Sequence, residues 1–471
     1  MKRYVIVGAG AAGLTLAYHL CKAGLPVTVL EKEAEVGGLA RSFHYDDWHF
    51  DIGPHRFYSA NPMVKKFLAE VLADDFIEIP RSSAVHYMGH YHEWPLRLET
   101  LRKLPPTVAL RAGLDLLRKA SQASPDSVSF EDYVLRRYGR TLYQTFFRDY
   151  TEKFLGISAA DTHQNWAKIG VERATIDEKV NTASLSEIFK LMLMPKPREL
   201  NFWYPARGGV HAFWQRCAER IRALGGEIRT GVSPTRLEGG PGTLEHVVVG
   251  EEALPCEALI WSGPVPELSG MLGLSRVELS YRYHVIYNVL LKSPPRHPYQ
   301  WCYYGAKDLV FSRISNPATF SPHTVPAGRG GLCVEIPCRA GDALWDDPAR
   351  IRRQVVEDLL RVDIVDGEGQ IDALKIERVP NAYPIYHVDY PRKLQAARRE
   401  LKAWTNLHLL GRTGRFWYNN MDHSIENAFK LAGDLLGGVR EATNRTQDVL
   451  EELRRDHARA RQAPEAAVAR A

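Results

Sequence analysis

Three glycines and one acid near the start of the chain have the spacing of a dinucleotide-binding turn. Gly8, Gly10 and Gly13 stand in G-x-G-x-x-G register, and Glu31 follows roughly 20 residues later. Glycines at these places allow a tight turn and let backbone N–H groups approach a pyrophosphate, which the N-terminus of the following helix also attracts. Glu31 is placed to accept a hydrogen bond from a ribose hydroxyl. The chemistry expected here is the binding of a dinucleotide.

A second pair of glycines favours FAD over NAD. The segment EVGGLARSF, from Glu35 to Phe43, offers another close backbone approach at Gly37 and Gly38, and Arg41 can neutralise a phosphate. The alternative is that the two glycines form only a flexible turn. We expect FAD, with Gly38 and Arg41 among the residues that bind it.

The elements that must position these residues can be read from hydrophobic periodicity. Tyr4 to Val7 form a short apolar strand, an Ala-rich helix follows the glycines, and a second strand ends at Glu31, so the glycines lie in a β-α-β unit. From about Leu98 to Met194 apolar residues recur three and four apart, which predicts helices. Alternating runs between about Val265 and Ile385 predict an antiparallel sheet.

We therefore expect an α/β fold whose three parts are interwoven along the chain. A discontinuous, Rossmann-like FAD-binding domain would comprise residues 1–80, 200–265 and 398–440. A helical insertion domain would comprise residues 95–199, and a substrate domain built on the antiparallel sheet would comprise residues 81–94 and 266–397. Residues 441–471 are rich in charged residues and are expected to form a tail without catalytic groups.

Composition excludes several classes of protein. The chain has 471 residues, 45% of them hydrophobic and 25% charged, which is enough for two or three domains with their own cores. The formal net charge of +5 is not gathered into basic blocks, so no nucleic-acid partner is expected. No apolar stretch is long enough for a membrane span and the first strand starts directly after Arg3, so we expect a cytoplasmic protein without a signal peptide. The six cysteines form no C-x-x-C pair, and neither disulfides nor a metal site are expected.

Ordered segments along nearly the whole chain resemble the UDP-galactopyranose mutase superfamily. That superfamily is a branch of the flavoproteins that include amine oxidases, phytoene desaturases and protoporphyrinogen oxidase. The segments are GAGAAGLTLA with EKEAEVGGLARS, DIGPHRFYSANPMVKKFL, HYHEWPLRLETL, GRTLYQTFFRDYTEKF, YPARGGVHAFWQR, IWSGP, DLVFSRI, YPIYHVDY and GRTGRFWYNNMDHSIENA. Several are common to the wider flavin group, whereas FSRI, YPI and the closing GR…Y..MD pattern in this order indicate the mutases.

The resemblance implies a reaction without net redox change that uses reduced FAD. In that family, flavin N5 attacks the anomeric carbon of a nucleotide sugar, expels the nucleoside diphosphate, holds the sugar while its ring opens and recloses, and then returns it. The expected substrate is a nucleotide-diphosphate hexose that changes between pyranose and furanose forms. NAD(P)H or another reductant would supply electrons to FAD, and a homodimer is expected.

The resemblance also assigns catalytic and substrate-binding residues. Arg313 in FSRI matches the family's diphosphate-binding arginine, a role that suits the fork of a guanidinium; the alternative is a surface ion pair. Tyr383 in YPI and Tyr418 in FWYNNMD match tyrosines that hydrogen-bond the same diphosphate, with buried aromatic packing as the alternative. Tyr150 in DYTEK is a further candidate of this kind. His55 matches a histidine beside the flavin that helps to set the flavin's conformation, whereas on its own it would be interpreted as structural.

The closing segment is expected to complete the flavin site. Gly411 and Arg412 would cross the FAD, and the N-terminus of the last helix would point at the flavin pyrimidine ring, where a reduced, anionic flavin concentrates charge. Asp422 and Ser424 are cofactor-binding candidates, and the role we favour for both is that of helix-start residues.

Two departures from the family pattern concern the substrate. Bacterial mutases continue the YT.K segment with a Gln-Trp pair whose ring lies on the uracil, whereas here Lys153 is followed by Phe154 and Leu155. The sequence therefore does not specify uracil as the base of the substrate, and another base stays an alternative. The family's mobile loop carries an arginine after Pro-Val, and IGVERATIDEK offers Arg173 with a one-residue offset, which we take as a substrate-binding candidate.

Two other functions stay open. An FAD-dependent oxidase or dehydrogenase of the amine oxidase or protoporphyrinogen oxidase type would use the same scaffold for hydride removal and would consume an electron acceptor stoichiometrically. A binding protein without flavin, as in the GDP-dissociation inhibitors, is disfavoured by the intact glycine pattern with Glu31.

Overall fold

The structure is a computed structural model that describes residues 2–59, 61–94, 105–117, 127–168, 201–240 and 242–439. The strands are β1 Arg3–Val7, β2 Val27–Leu30, β3 Ser42–Tyr45, β4 Trp48–Asp51, β5 Phe76–Pro80, β6 Ser83–Tyr87, β7 His90–Glu93, β8 Asn201–Pro205, β9 Glu227–Arg229, β10 Arg236–Gly240, β11 Thr243–Val249, β12 Glu252–Trp261, β13 Tyr281–Leu291, β14 Trp301–Tyr304, β15 Arg313–Ser315, β16 Gly330–Cys338, β17 Ile371–Pro384 and β18 Leu407–Leu409. The α-helices are α1 Ala11–Lys22, α2 Pro62–Leu72, α3 Pro106–Leu117, α4 Phe130–Leu142, α5 Arg148–Leu155, α6 His211–Ala223, α7 Val265–Met271, α8 Ala343–Asp346, α9 Arg352–Arg361, α10 Tyr390–Leu401, α11 Gly411–Gly414 and α12 Met421–Val439.

A parallel sheet with dinucleotide-binding topology forms one half of the molecule. Its strands pair in the order β9-β2-β1-β12-β18, and the hairpin β10–β11 extends the first half of β12. Strands β2 and β9 lie on one side of β1, and β12 and β18 lie on the other. The connections from β1 and β12 therefore lead to opposite sides, which leaves a crevice at the carboxyl ends of these two strands. Val5, Ile6, Leu259 and Ile260 are fully buried, as expected for strands that are covered on both faces.

Helix α1 connects β1 to β2 and lies in the middle of this half. Its residues from Ala12 to Cys21 are buried, because α6 and α12 pack against it. Gly10 occupies its N-cap position and supplies no side-chain hydrogen bond to the first turn. The N–H groups of that turn are therefore available to an anion.

The second large sheet is antiparallel except at one pairing. Its order is β17-β13-β16-β15-β14-β6-β7, and only β14 and β6 run parallel among these neighbours. Strand β13 is buried on both faces, with Val285, Tyr287 and Val289 in one hydrophobic core and Ile286 and Leu290 in another. The alternation follows the two-residue period of a strand, so the sheet separates two cores.

The described part of the predicted helical insertion consists of α3, α4 and α5. Helix α4 is interrupted at Gly139, and the π-helical turn Tyr143–Phe147 joins it to α5. Lys153 in α5 donates hydrogen bonds to the carbonyl oxygens of Ala306 (2.7 Å) and Phe311 (2.6 Å). These bonds attach the insertion to the loop that follows β14.

The α/β fold class predicted from the sequence is confirmed. Among the helices of the described ranges, none combines the length and the apolar character that a membrane crossing requires.

Candidate functional site

The glycine turn after β1 meets the second glycine pair. A Cβ on Gly13 would lie 2.0 Å from the carbonyl oxygen of Gly8, and a Cβ on Gly38 would lie 3.0 Å from the Cα of Gly10. The backbone of Gly37 also donates to the carbonyl oxygen of Ala9 at 2.7 Å. The two turns therefore form one cradle of half-buried backbone without side chains, which fits the pyrophosphate of a dinucleotide.

Glu31 follows β2 at the edge of this cradle. It is 5% exposed, and its carboxylate accepts hydrogen bonds from the N–H groups of Ala9 (2.7 Å) and Glu33 (3.0 Å). Because a carboxylate has about four lone-pair positions, two remain for ribose hydroxyls. Arg41 lies 3.6 Å from the carboxylate of Glu33 and is mostly buried. These residues fit the nucleotide part of FAD.

The closing segment returns to the same cradle. Gly411 begins the short helix α11, has a φ of 75°, and approaches Ala12 so closely that a Cβ would lie 3.4 Å from the Ala12 side chain. Arg412 donates to the carbonyl oxygens of Asn419 (2.6 Å) and Ala382 (3.2 Å). The segment is therefore ordered by backbone acceptors and is partly helical.

Asp422 and Ser424 lie in the first turn of α12. The side-chain amide of Asn419 donates to the hydroxyl of Ser424 at 3.1 Å, and both of these residues are buried. The carboxylate of Asp422 lies 3.2 Å from Nδ1 of His423. These contacts give the polar side chains at the start of α12 partners within the protein. A cofactor role for Asp422 and Ser424 stays a prediction.

Arg313, Tyr383 and Tyr418 come together from three separate segments. Arg313 donates from Nη2 to the Tyr383 hydroxyl at 3.1 Å, and the rings of Tyr383 and Tyr418 meet edge to face with centroids 5.1 Å apart. The guanidinium of Arg412 lies 5.1 Å from the centroid of each of these two rings. Tyr418 in turn stacks on Trp166 at 5.2 Å.

Arg313 is held by a buried carboxylate. Its Nε and Nη2 donate to the two oxygens of Glu335 at 2.5 and 2.6 Å, and the side chains of Arg313 and Glu335 are 10% and 2% exposed. Burial lowers the pKa of Arg313, but the attraction of Glu335 outweighs burial and raises that pKa well above its ordinary range. The ion pair that the sequence offered as an alternative thus exists, but inside the protein, and it fixes the orientation of the arginine.

His55 lies in a strongly positive environment. Burial, followed by the charges of Arg412 and Arg313, lowers the pKa of His55 to about 3. Its Nδ1 lies 3.3 Å from the carbonyl oxygen of Gly53, which fits donation from Nδ1–H. The neutral ring then presents Nε2 as an acceptor at neutral pH.

Two further arginines lie near His55 and were missed by the sequence analysis. The guanidinium of Arg56 lies between the rings of Phe202 and Trp301, 4.3 Å from each centroid, and that of Arg81 lies 5.6 Å from the Trp301 ring. Within the described ranges, neither arginine has a carboxylate at ion-pair distance. Burial, then repulsion by Arg81, lowers the pKa of Arg56 to about 10, so Arg56 remains charged at neutral pH and attracts anions. Burial also lowers the pKa of Arg81.

A cavity of about 710 Å³ lies next to the group formed by Arg313, Tyr383 and Tyr418. Arg313 and Tyr418 form part of its wall, and Tyr150 lines it with its ring edge-on to Tyr303 at 5.5 Å. Further lining residues are aromatic: Tyr87, Trp94, Phe146, Phe147, Phe154 and Trp166. Arg361, another lining residue, is paired with Asp308 at 3.1 Å. Arg173 lies outside the described residues.

Three residues of the site, Glu335, Arg56 and Trp166, were not predicted from the sequence, which indicates their roles weakly or not at all. Glu335 is the acid in the otherwise apolar strand segment GLCVEIPC, and a charge in such a strand indicates a buried partner. Arg56 adjoins His55 in the segment DIGPHRFYSANPMVKKFL. Trp166 carried no signal in the sequence, because its packing on Tyr418 joins distant segments.

The two-sheet architecture and the glycine cradle define a dinucleotide-binding flavoprotein fold. Residues 11–413 match the family of flavin-containing amine oxidoreductases, so the chain belongs to that family. A flavin-binding enzyme fold follows from the match.

Curated relatives match parts of the chain. A phytoene dehydrogenase of Streptomyces griseus is 27% identical over 293 residues, which cover 57% of this chain and 55% of that protein. A dTDP-fucopyranose mutase of Escherichia coli is 26% identical over 165 residues (33% and 42%), and an L-amino-acid oxidase of Sistrurus catenatus edwardsii is 45% identical over 67 residues (14% and 13%). The chain thus spans about half the length of the first relative and less of the other two.

Solved structures match nearly the whole chain. A crystal structure of reduced UDP-galactopyranose mutase has a TM-score of 0.80 at 19% identity, covering 97% of this chain and 99% of that one. A putative protoporphyrinogen oxidase from Exiguobacterium sp. 255-15 has a TM-score of 0.72 at 16% identity, covering 92% and 98%. At these identities the likeness shows the fold. The resemblance to mutase-like flavoproteins within the amine oxidase group is confirmed.

Proposed function

We propose that the protein is an FAD-dependent mutase that interconverts the pyranose and furanose forms of a nucleotide-diphosphate hexose without net redox change. The observation that carries the proposal is the meeting of Arg313, Tyr383 and Tyr418: Arg313 and Tyr418 line one cavity, and Tyr383 contacts both of them from behind that wall. His55 and Arg412 lie close to this group. The sequence similarity to a dTDP-fucopyranose mutase supports it.

FAD would be held by residues that already form a cradle. The backbone at Gly8, Gly10, Gly13 and Gly38 would bind the pyrophosphate, and Glu31 would bind the ribose. Reduced FAD would supply a nucleophile for the anomeric carbon of the sugar. Neutral His55, with a free Nε2, would face the flavin without adding positive charge of its own.

The diphosphate would be bound by a rigid set of donors. Glu335 prevents Arg313 from changing orientation, so the hydroxyl of Tyr383 is also fixed. Since Glu335 cancels the charge of Arg313, the net positive charge comes from Arg412, Arg56 and Arg81. Preorganised cations of this kind stabilise the charge that a departing diphosphate gains.

The nucleotide base would lie against the aromatic part of the cavity. Phe154, which follows Lys153 where bacterial mutases have a Gln-Trp pair, is buried and meets Tyr383 edge-on at 4.9 Å. Its ring also stacks on those of Tyr150 at 5.7 Å and Trp166 at 5.6 Å, so its faces are used in packing. The stacked pair of Trp166 and Tyr418 also lines the cavity and offers aromatic surface for a base.

The test is an anaerobic incubation of the purified flavoprotein with a panel of nucleotide-diphosphate hexoses that differ in base and sugar. The flavin is reduced with dithionite in one set and left oxidised in a matched set, and products are separated by chromatography and identified by NMR. We expect an isomer of unchanged mass that forms only with the reduced protein. The absence of any isomer across the panel would contradict the proposal.

An FAD-dependent oxidase or dehydrogenase is the second candidate, and the cavity favours it in one respect. Among the described residues, the arginines that line the cavity are Arg313 and Arg361, and each is paired with an acid. Much of the remaining wall is aromatic. Such a wall suits an apolar substrate. Reduction of the flavin by a small apolar or amine substrate, followed by peroxide release in air, would support this candidate.

A further inference from the structure

Three histidines and a glutamate meet on a part of the molecule that does not line the cavity. His44 and His49 form a cross-strand pair in the hairpin β3–β4, His211 is the first residue of α6, and Glu35 follows β2. One ligand atom from each of Glu35, His44 and His211 lies within 4.8 Å of the other two. The sequence predicts no metal site, because its cysteines form no C-x-x-C pair. This cluster joins three separate segments and leaves no spacing pattern in the sequence.

His211 is the unusual member of the cluster. Its side chain is 1% exposed, and neither of its ring nitrogens has a hydrogen-bond partner among the described residues, although buried polar atoms normally have one. Its Nε2 lies 3.7 Å from the carboxylate of Glu35, which is too far for a hydrogen bond.

His44 is oriented by its neighbour on the opposite strand. The Nδ1 atoms of His44 and His49 lie 2.6 Å apart, so one ring donates its proton to the other. With His44 as donor, its Nε2 carries no proton and is free to bind a metal. A metal-bound imidazole is commonly held in this way through its second nitrogen.

We propose that Glu35, His44 and His211 bind one divalent transition-metal ion of the Zn²⁺ type, with His49 as a positioning residue. Two imidazoles and a carboxylate suit Zn²⁺ better than Mg²⁺ or Ca²⁺, which prefer oxygen ligands. Tetrahedral binding requires ligand atoms about 3.4 Å apart, given metal–ligand bonds of about 2.0–2.1 Å. Since His44 and Glu35 are exposed, their side chains can close that gap, and a water molecule would complete the coordination.

The metal would stabilise the cofactor cradle. Glu35 precedes Gly37, and a Cβ on Gly37 would lie 3.3 Å from Nδ1 of His211, so the site adjoins the second glycine turn. Arg41 is the nearby cation, and its pairing with Glu33 reduces its repulsion of a metal. The ion would connect the hairpin β3–β4, the loop after β2 and the start of α6.

The experiment measures metal binding without requiring turnover, so its result is independent of the proposed mutase activity. Tag-free, flavin-loaded protein is treated with EDTA, desalted, and titrated with Zn²⁺ in competition with a chromophoric chelator. Co²⁺ is then added to fresh protein, and its visible spectrum reports coordination geometry. We expect one ion per chain and the absorption bands of tetrahedral Co²⁺.

Variants at exposed positions make the assignment specific. Glu35→Gln and His44→Gln should each weaken Zn²⁺ binding at least about 100-fold, because each removes a ligand. His323→Gln, at an exposed histidine on another segment, should bind Zn²⁺ like the parent protein. The proposal is overturned if the parent protein binds no stoichiometric Zn²⁺, or if Glu35→Gln and His44→Gln bind it as tightly as the parent.

Discussion

Replacement of Glu335 by Gln should destabilise the protein strongly, because it leaves the Arg313 guanidinium buried without a counter-ion. The carboxylate accepts two hydrogen bonds from Arg313 at 2.5 and 2.6 Å, and its side chain is 2% exposed. Breaking such a pair from one side costs about 3–5 kcal/mol. Gln keeps the shape and one acceptor, so we expect a loss near the lower end, about 3 kcal/mol.

The double variant Arg313→Met with Glu335→Leu separates burial of an unpaired charge from loss of packing. Replacing a whole buried pair by apolar residues is often close to neutral, so the double variant should be more stable than Glu335→Gln alone. Urea unfolding of the flavin-loaded protein, followed by tryptophan fluorescence, measures both. Glu357→Gln is the matched control, since Glu357 pairs with the exposed Arg353, and its unfolding midpoint should not change.

The reasoning about this pair is refuted by either of two results. One is a Glu335→Gln variant that loses less than about 1 kcal/mol, which would mean that Arg313 is hydrated when its partner is removed. The other is a double variant that is less stable than Glu335→Gln, which would mean that packing and not charge dominates.

Three other expectations follow from single positions. Gly13→Ala should yield protein without flavin absorbance, because the Cβ would lie 2.0 Å from a backbone oxygen, whereas Gly270→Ala, with no atom within 4 Å, should retain flavin. Burial lowers the pKa of His19 to about 3, against about 6.5 in the unfolded chain. Between these values only the unfolded chain binds the proton, so the folded state loses stability as the pH falls below 6.5. Between pH 6.5 and 4.5 this proton uptake lowers the free energy of unfolding by about 2 kcal/mol. His19→Leu should remove that part of the pH dependence, measured by urea unfolding at both pH values. Tyr383→Phe should weaken nucleoside diphosphate binding about fivefold by calorimetry, since one hydrogen bond contributes about 1 kcal/mol.

The sequence predicts the parts of the fold that depend on local pattern. The strand, glycine turn and helix from Arg3 to Lys22 follow from an apolar run, three spaced glycines and a helical period, and the structure has them in that order. The alternation in β13 likewise predicts a strand. The domain boundaries stay a prediction.

The site could be predicted only in part, because its contacts join distant segments. Arg313 was found from its motif, but its pairing with Glu335 depends on how β15 aligns with β16. Arg56 was visible beside His55, yet its place between two aromatic rings requires β8 and β14 to lie on either side of it. Sequence periodicity specifies neither the strand alignment nor these distances.

The most direct test of the central claim counts product molecules per reduced flavin. The protein is reduced with one equivalent of dithionite per flavin under anaerobic conditions, and the nucleotide-diphosphate hexose identified in the panel is added in large excess without an electron acceptor. The mutase account predicts many isomerised molecules per flavin while the flavin spectrum stays reduced. Product formation that requires oxidised flavin, stops at one equivalent, or bleaches the oxidised flavin as it proceeds would contradict that account and indicate an oxidoreductase.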